Sequence, residues 1–165
     1  MPYAIAELNQ MSQDAFVAAL GAVFEDTPTI AYAAWGNRPF SDLASLHQTM
    51  VKVVQEMPAD EQLRLICAHP DLGSKAKMAD ASVREQAGVG LDQLSPTEFE
   101  QFHTLNQQYR ERFGFPFIIA VKNHTKSSIL TAFAQRLQHD SATERQQALT
   151  EIIQIARFRL ESLVN

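Results

Sequence analysis

The densest chemical potential in the sequence lies at Cys67-Ala68-His69-Pro70-Asp71-Leu72-Gly73, where an apolar helical run stops on a histidine immediately before a proline. Proline disfavours helical geometry in the residue before it, so His69 is expected at the very end of the run, its ring pointing off the helix. An imidazole there can give or take a proton near neutral pH, its unperturbed pKa being about 6.5. A lone histidine at a helix end is more often a C-terminal cap or a packing residue, because a helix C-terminus favours a cation. Neighbouring chemistry has to separate the two readings.

Three further stretches could supply it. In Ser82-Val83-Arg84-Glu85-Gln86-Ala87-Gly88-Val89-Gly90-Leu91, helical spacing brings the hydroxyl of Ser82 near the carboxylate of Glu85 and the amide of Gln86, a set able to converge on one ligand. Ser-x-x-Glu is also a capping box. The second stretch, Phe113 to Lys122, is the densest aromatic run. It reads as a core-filling connector, or as a buried extended segment whose unpaired backbone groups could bind a flat polar ligand. In the third, Ile155 to Leu160, Arg159 adjoins the inward positions Ala156 and Leu160, whereas Arg157 falls nearer the outer face. A guanidinium so placed pairs with an internal carboxylate or reads a substrate carboxylate.

Other chemistries find little support. Histidines at 47, 69, 103, 124 and 139 form no His-x-x-x-His pattern, and one cysteine cannot build the common zinc frameworks, so no metal is expected. Cys67 reads as a packed thiol on the apolar side of its helix. Without a glycine-rich phosphate loop, no nucleotide cofactor is suggested. A net charge of -5, with 14 Lys and Arg spread along the chain, argues against nucleic acid as partner. The longest apolar run, Phe115 to Val121, is too short to span a membrane. The first residues resemble no signal peptide and no internal disulfide can form, so the cytoplasm is the expected compartment.

The elements that would position these groups are helical. At 165 residues, with 45% hydrophobic and 20% charged residues, the chain suits one soluble domain spanning 1–165. Apolar residues recur at three and four positions and strand-like alternation is nearly absent. Helices are expected after Ser12 (Phe16, Leu20, with Val23 and Phe24), after Thr27-Pro28 (Ile30, Ala34, Trp35), after a Ser41 cap (Leu43, Leu46, Met50, Val53, Val54), and from Ala59 (Leu63, Ile66, Cys67). From Asp71 to Asp92 a functional loop around one short helix is expected. Capping boxes at Ser95-Pro96-Thr97-Glu98 and Ser141-Ala142-Thr143-Glu144 open two long helices, with another from about Thr125 between them. The resulting expectation is an all-α orthogonal bundle of seven to nine helices.

Taken together, Ala68-His69-Pro70-Asp71-Leu72, the run Ser82 to Leu91, the run Leu105 to Phe117, Arg159-Leu160 and the earlier Trp35-Gly36-Asn37-Arg38-Pro39-Phe40 resemble the 2-oxo-4-hydroxy-4-carboxy-5-ureidoimidazoline (OHCU) decarboxylases of urate degradation. The resemblance covers nearly the whole chain in order. It implies an all-α fold, usually a homodimer, and a cofactor-free decarboxylation yielding (S)-allantoin. It further implies that His69 is the catalytic proton donor, with Glu85 and Arg159 beside it, and that Pro70 lines the substrate. Two binding stretches follow from it, Ser82, Val83, Arg84, Glu85 and Gln86, then Phe117, Ile118, Ile119, Ala120 and Val121, the latter through backbone groups. After Gly73 the loop is several residues shorter than in animal members, and no peroxisomal tail is present. The competing readings are a helical interaction module, in which the His69 turn is merely packed, and a hydrolase or lyase acting on a related ureide.

Overall fold

The computed structural model describes every residue, Met1–Asn165. It is all-α, with nine helices: α1 (Ile5–Gln10), α2 (Gln13–Leu20), α3 (Thr29–Ala34), α4 (Leu43–Glu56), α5 (Ala59–Cys67), α6 (Asp80–Gly88), α7 (Pro96–Phe113), α8 (Lys126–Arg136) and α9 (Ser141–Leu163). Short 3-10 turns lie at Trp35–Asn37 and Val121–Asn123, and the one β-type contact is an isolated bridge between Tyr3 and Val164. Local chemistry sets most helix starts. Ser12, Ser95 and Thr125 each accept a hydrogen bond from the backbone N–H three residues on, satisfying a donor that the helix itself leaves open.

Two starts differ from the sequence expectation. In α4 the cap is Asp42 rather than Ser41, its carboxylate accepting from the Ser45 N–H at 2.8 Å. At α9 the side chain of Asp140 accepts from the Thr143 N–H at 2.7 Å, which frees Glu144 from a capping role. The periodicity also gives no sign of α1, a six-residue helix with a single buried side chain, Leu8.

The chain packs as two compact units, Met1–Ala68 with Ile153–Asn165, and His69–Ile152. In the first, Phe16, Leu20, Phe24, Ile30, Leu46, Met50, Ala156 and Leu160 are buried together with Leu65 and Ile66 of α5. Cys67 is exposed, contrary to the packed thiol expected there. It lies about 100° round the helix from Ile66, beyond the face that α5 buries. The Trp35 to Phe40 motif knits this unit, with the Arg38 guanidinium 3.8 Å from the centre of the Trp35 ring and donating to the Asn9 carbonyl at 2.9 Å.

In the second unit the aromatic run is indeed core: Phe115 and every residue from Phe117 to Val121 are buried. Phe117 stacks on Phe133 of α8 at 3.7 Å between centroids and meets Tyr109 of α7 edge-on at 5.2 Å. At the centre is a polar hub. Glu144 of α9, with no solvent exposure, accepts from the Tyr109 hydroxyl at 2.6 Å, from Arg136 Nε at 2.8 Å and from His139 Nδ1 at 2.8 Å. Arg136 also donates to the Ile118 carbonyl at 2.6 Å and lies 4.3 Å from the centre of the Phe117 ring.

Removing one partner of a buried pair strands the other charge, so Glu144→Ala should destabilise the protein by about 3–5 kcal/mol in urea unfolding. Tyr109 supplies a pH signature. Burial, and then its bond to Glu144, hold the phenol's pKa well above its usual value, so the proton is bound more tightly in the folded state. That contribution is complete below about pH 10 and is lost as pH rises toward the folded-state value. Tyr109→Phe should therefore lose less stability than the parent between about pH 10 and 12, measured by urea midpoints across that range.

Candidate active site

α5 ends at Cys67 with Ala68 as its C-cap, and the chain bends through His69 into Pro70. The helix thus stops two residues before the histidine. His69 is 6% exposed, a titratable side chain almost enclosed by protein. The backbone directly after it is fixed by side chains from α6 and α7. Gln86 Oε1 accepts from the Gly73 N–H at 2.9 Å while its amide nitrogen donates to the Asp71 carbonyl at 3.4 Å. Asn106 Nδ2 donates to the Leu72 carbonyl at 2.9 Å, and Arg110 Nε pairs with Asp71 at 2.9 Å. Gly73 has φ 69°, and a Cβ there would lie 2.7 Å from Leu94 Cδ1. Left-handed geometry and close packing together call for glycine.

α6 begins at Asp80 with Ala79 as N-cap, so Ser82 is its third residue and does not cap it. The capping-box reading of Ser82 and Glu85 therefore fails. Ser82 and Gln86, one turn apart, are both buried, Glu85 is half-buried, and Val83 and Arg84 are exposed. α6 packs against the Val121–Asn123 turn, bringing the second expected binding stretch up to the third. Within the third stretch some backbone groups already have partners. The Ile118 carbonyl accepts from Arg136, the Ala120 N–H donates to Glu151 Oε1 at 3.1 Å, and the Ala120 carbonyl accepts from the Asn123 N–H at 3.0 Å.

Arg159 belongs to the first unit. Buried there, it pairs with Glu25 at 2.8 Å and donates to the Ala22 carbonyl at 3.3 Å. Glu25 is thus an internal carboxylate of the kind that the arginine's position called for, although no short-range pattern marks it. Asn106 and Glu151 were equally hidden among polar helix residues. Only Glu144 carried a local signal, and that signal pointed to a cap. No three His, Cys, Asp or Glu side chains are grouped so as to hold a metal ion.

Comparison with known proteins places this geometry in a family. The family model described as OHCU decarboxylase matches residues 9–161. A 2-oxo-4-hydroxy-4-carboxy-5-ureidoimidazoline decarboxylase of Halalkalicoccus jeotgali is 45% identical over 159 residues, covering 96% of this chain and 90% of that protein. The uric acid degradation bifunctional protein PucL of Bacillus subtilis is 46% identical over 98% of this chain, which spans 33% of that longer protein. Among solved structures, an (S)-allantoin synthase superposes with a TM-score of 0.82 at 30% identity, over 99% of this chain and 54% of that one. With the family model spanning all but the two ends and a full-length relative at this identity, the chain belongs to the OHCU decarboxylase family.

Proposed function

We propose that this protein decarboxylates 2-oxo-4-hydroxy-4-carboxy-5-ureidoimidazoline to (S)-allantoin, a carboxy-lyase step of urate degradation, with His69 as proton donor. The observation that carries the reading is an enclosed imidazole beside Pro70, on a loop whose backbone is fastened by Gln86, Asn106 and Arg110. A general acid works only if it is held in place.

In this substrate the carbon that loses its carboxylate bears a hydroxyl and adjoins a ring carbon–nitrogen double bond. When the C–C bond breaks and carbon dioxide leaves, its electron pair passes into that conjugated system. The protein has to orient the ring, stabilise the charge, and deliver a proton to one face of the adjacent carbon. One face gives one enantiomer. His69 delivers that proton, after helping to remove the hydroxyl proton. Glu85, half-buried on α6, orients the substrate by accepting from its hydroxyl or ureido N–H. Ser82 and Gln86 form the buried wall of the same helix, and the 117–121 segment reads the ligand through its backbone. A role for Arg159 in steering the carboxylate rests on the family resemblance. The reading includes a cytoplasmic homodimer, on the family's usual state and the single cysteine; no helix is long and apolar enough to cross a membrane.

Freshly generated urate oxidation products supplied to the protein should yield (S)-allantoin faster than the spontaneous reaction. Racemic allantoin at the spontaneous rate contradicts the assignment. His69→Asn should lower kcat by about 10²-fold or more while circular dichroism and thermal midpoint stay those of the parent. Substantial retained turnover removes His69 from the role. Glu85→Gln keeps shape and removes charge, so an unchanged kcat and KM would count against its orienting function.

A further inference from the structure

Neither the resemblance nor the site described so far assigns a task to Glu151 or Arg136. We infer that these two side chains form a peptide clamp: each seizes one end of a peptide plane flanking Ile119, and together they aim the Ile119 N–H and C=O at the substrate.

A trans peptide is planar, and its C=O and N–H point in opposite directions. The Ile118–Ile119 plane carries the Ile118 carbonyl at one end and the Ile119 N–H at the other. Arg136 holds the carbonyl end at 2.6 Å, so the Ile119 N–H is directed away from the Arg136 guanidinium. The Ile119–Ala120 plane carries the Ile119 carbonyl and the Ala120 N–H. Glu151 holds the N–H end at 3.1 Å, so the Ile119 carbonyl is directed away from the Glu151 carboxylate. Both peptides are trans, the one cis bond in the chain being Arg38–Pro39.

Each clamp is itself braced. Gln147, one turn earlier on α9, donates to Glu151 Oε2 at 3.2 Å. Arg136 is locked by Glu144 at 2.8 Å. Between the clamped groups Ile119 is only 4% exposed, yet neither its N–H nor its carbonyl bonds to any protein group. Backbone groups in so buried a residue are normally paired, which points to a ligand as their partner. One donor and one acceptor on the same residue match an amide-like edge, the pattern that ureido and lactam groups carry. The clamp rests on the proposed function for its substrate, but not for its geometry.

Glu151 is half-buried and its removal spares the aromatic core, so it is the residue to change. In Glu151→Ala, KM should rise about tenfold with kcat within about twofold of the parent, because a binding contact is misaimed while the proton donor is untouched. The Ala120 amide should exchange with deuterium about tenfold faster, having lost its acceptor. Glu151→Gln, which keeps an acceptor oxygen, should restore both to within about twofold. An unchanged KM, an unchanged Ala120 exchange rate, or a Gln variant as impaired as the Ala variant overturns the clamp. Absence of turnover by the parent protein would instead remove the proposed function, and the Ala120 exchange rates would still decide whether Glu151 holds that peptide.

Discussion

A carboxylate with no solvent exposure must be fully partnered, and Glu144 meets that constraint by drawing three elements of the second unit onto itself. Tyr109 comes from α7, Arg136 from the end of α8, and His139 from the turn before α9. Buried ion pairs are weak evidence for net stability, since desolvation offsets much of the attraction. Their consequence here is geometric. Arg136, pinned by Glu144, has its remaining donors committed in direction, and one of them fixes the Ile118 carbonyl. The charge pair is therefore connected by a single side chain to the backbone proposed to read the ligand.

The same economy of means recurs around His69. Gln86, Asn106 and Arg110 direct their polar ends to the backbone and side chain of residues 71–73. Both the loop after His69 and the 117–120 segment lack regular secondary structure, and both are fastened by side chains from helices. Irregular backbone can leave selected N–H and C=O groups unpaired and aimed, which a helix interior cannot. For a reaction whose electron sink lies in the substrate ring, positioning and directed dipoles are the main tasks left to the protein.

Much of the architecture was legible because it depends on short-range chemistry. Ser12 and Ser95 cap the helices they were expected to open, and Phe16, Leu20, Ile30, Leu46 and Met50 fall on buried faces as their spacing indicates. Capping failed as a guide where two candidates adjoin: Asp42 displaced Ser41, and Asp140 displaced Ser141. In both places the carboxylate, a stronger acceptor than a hydroxyl, holds the cap one residue earlier or later than the serine. Of the candidate site, the sequence shows the histidine–proline stop at the end of α5 and the helical spacing that buries Ser82 and Gln86 one turn apart. What lay beyond reach were pairings between distant positions. Arg159 with Glu25, Asn106 with Leu72 and Glu151 with Ala120 span 134, 34 and 31 residues, and local periodicity holds no record of such meetings.

The proposed enclosed histidine and clamped peptide serve one reacting ring, and a crystal structure of the protein soaked with (S)-allantoin would show both contacts at once. The amide-type edge of the ligand should pair with the Ile119 N–H and C=O at about 3 Å. A His69 ring nitrogen should lie about 3–3.5 Å from the stereogenic carbon, on the face that carries its hydrogen. Allantoin bound in contact with neither Ile119 nor His69 would contradict this arrangement.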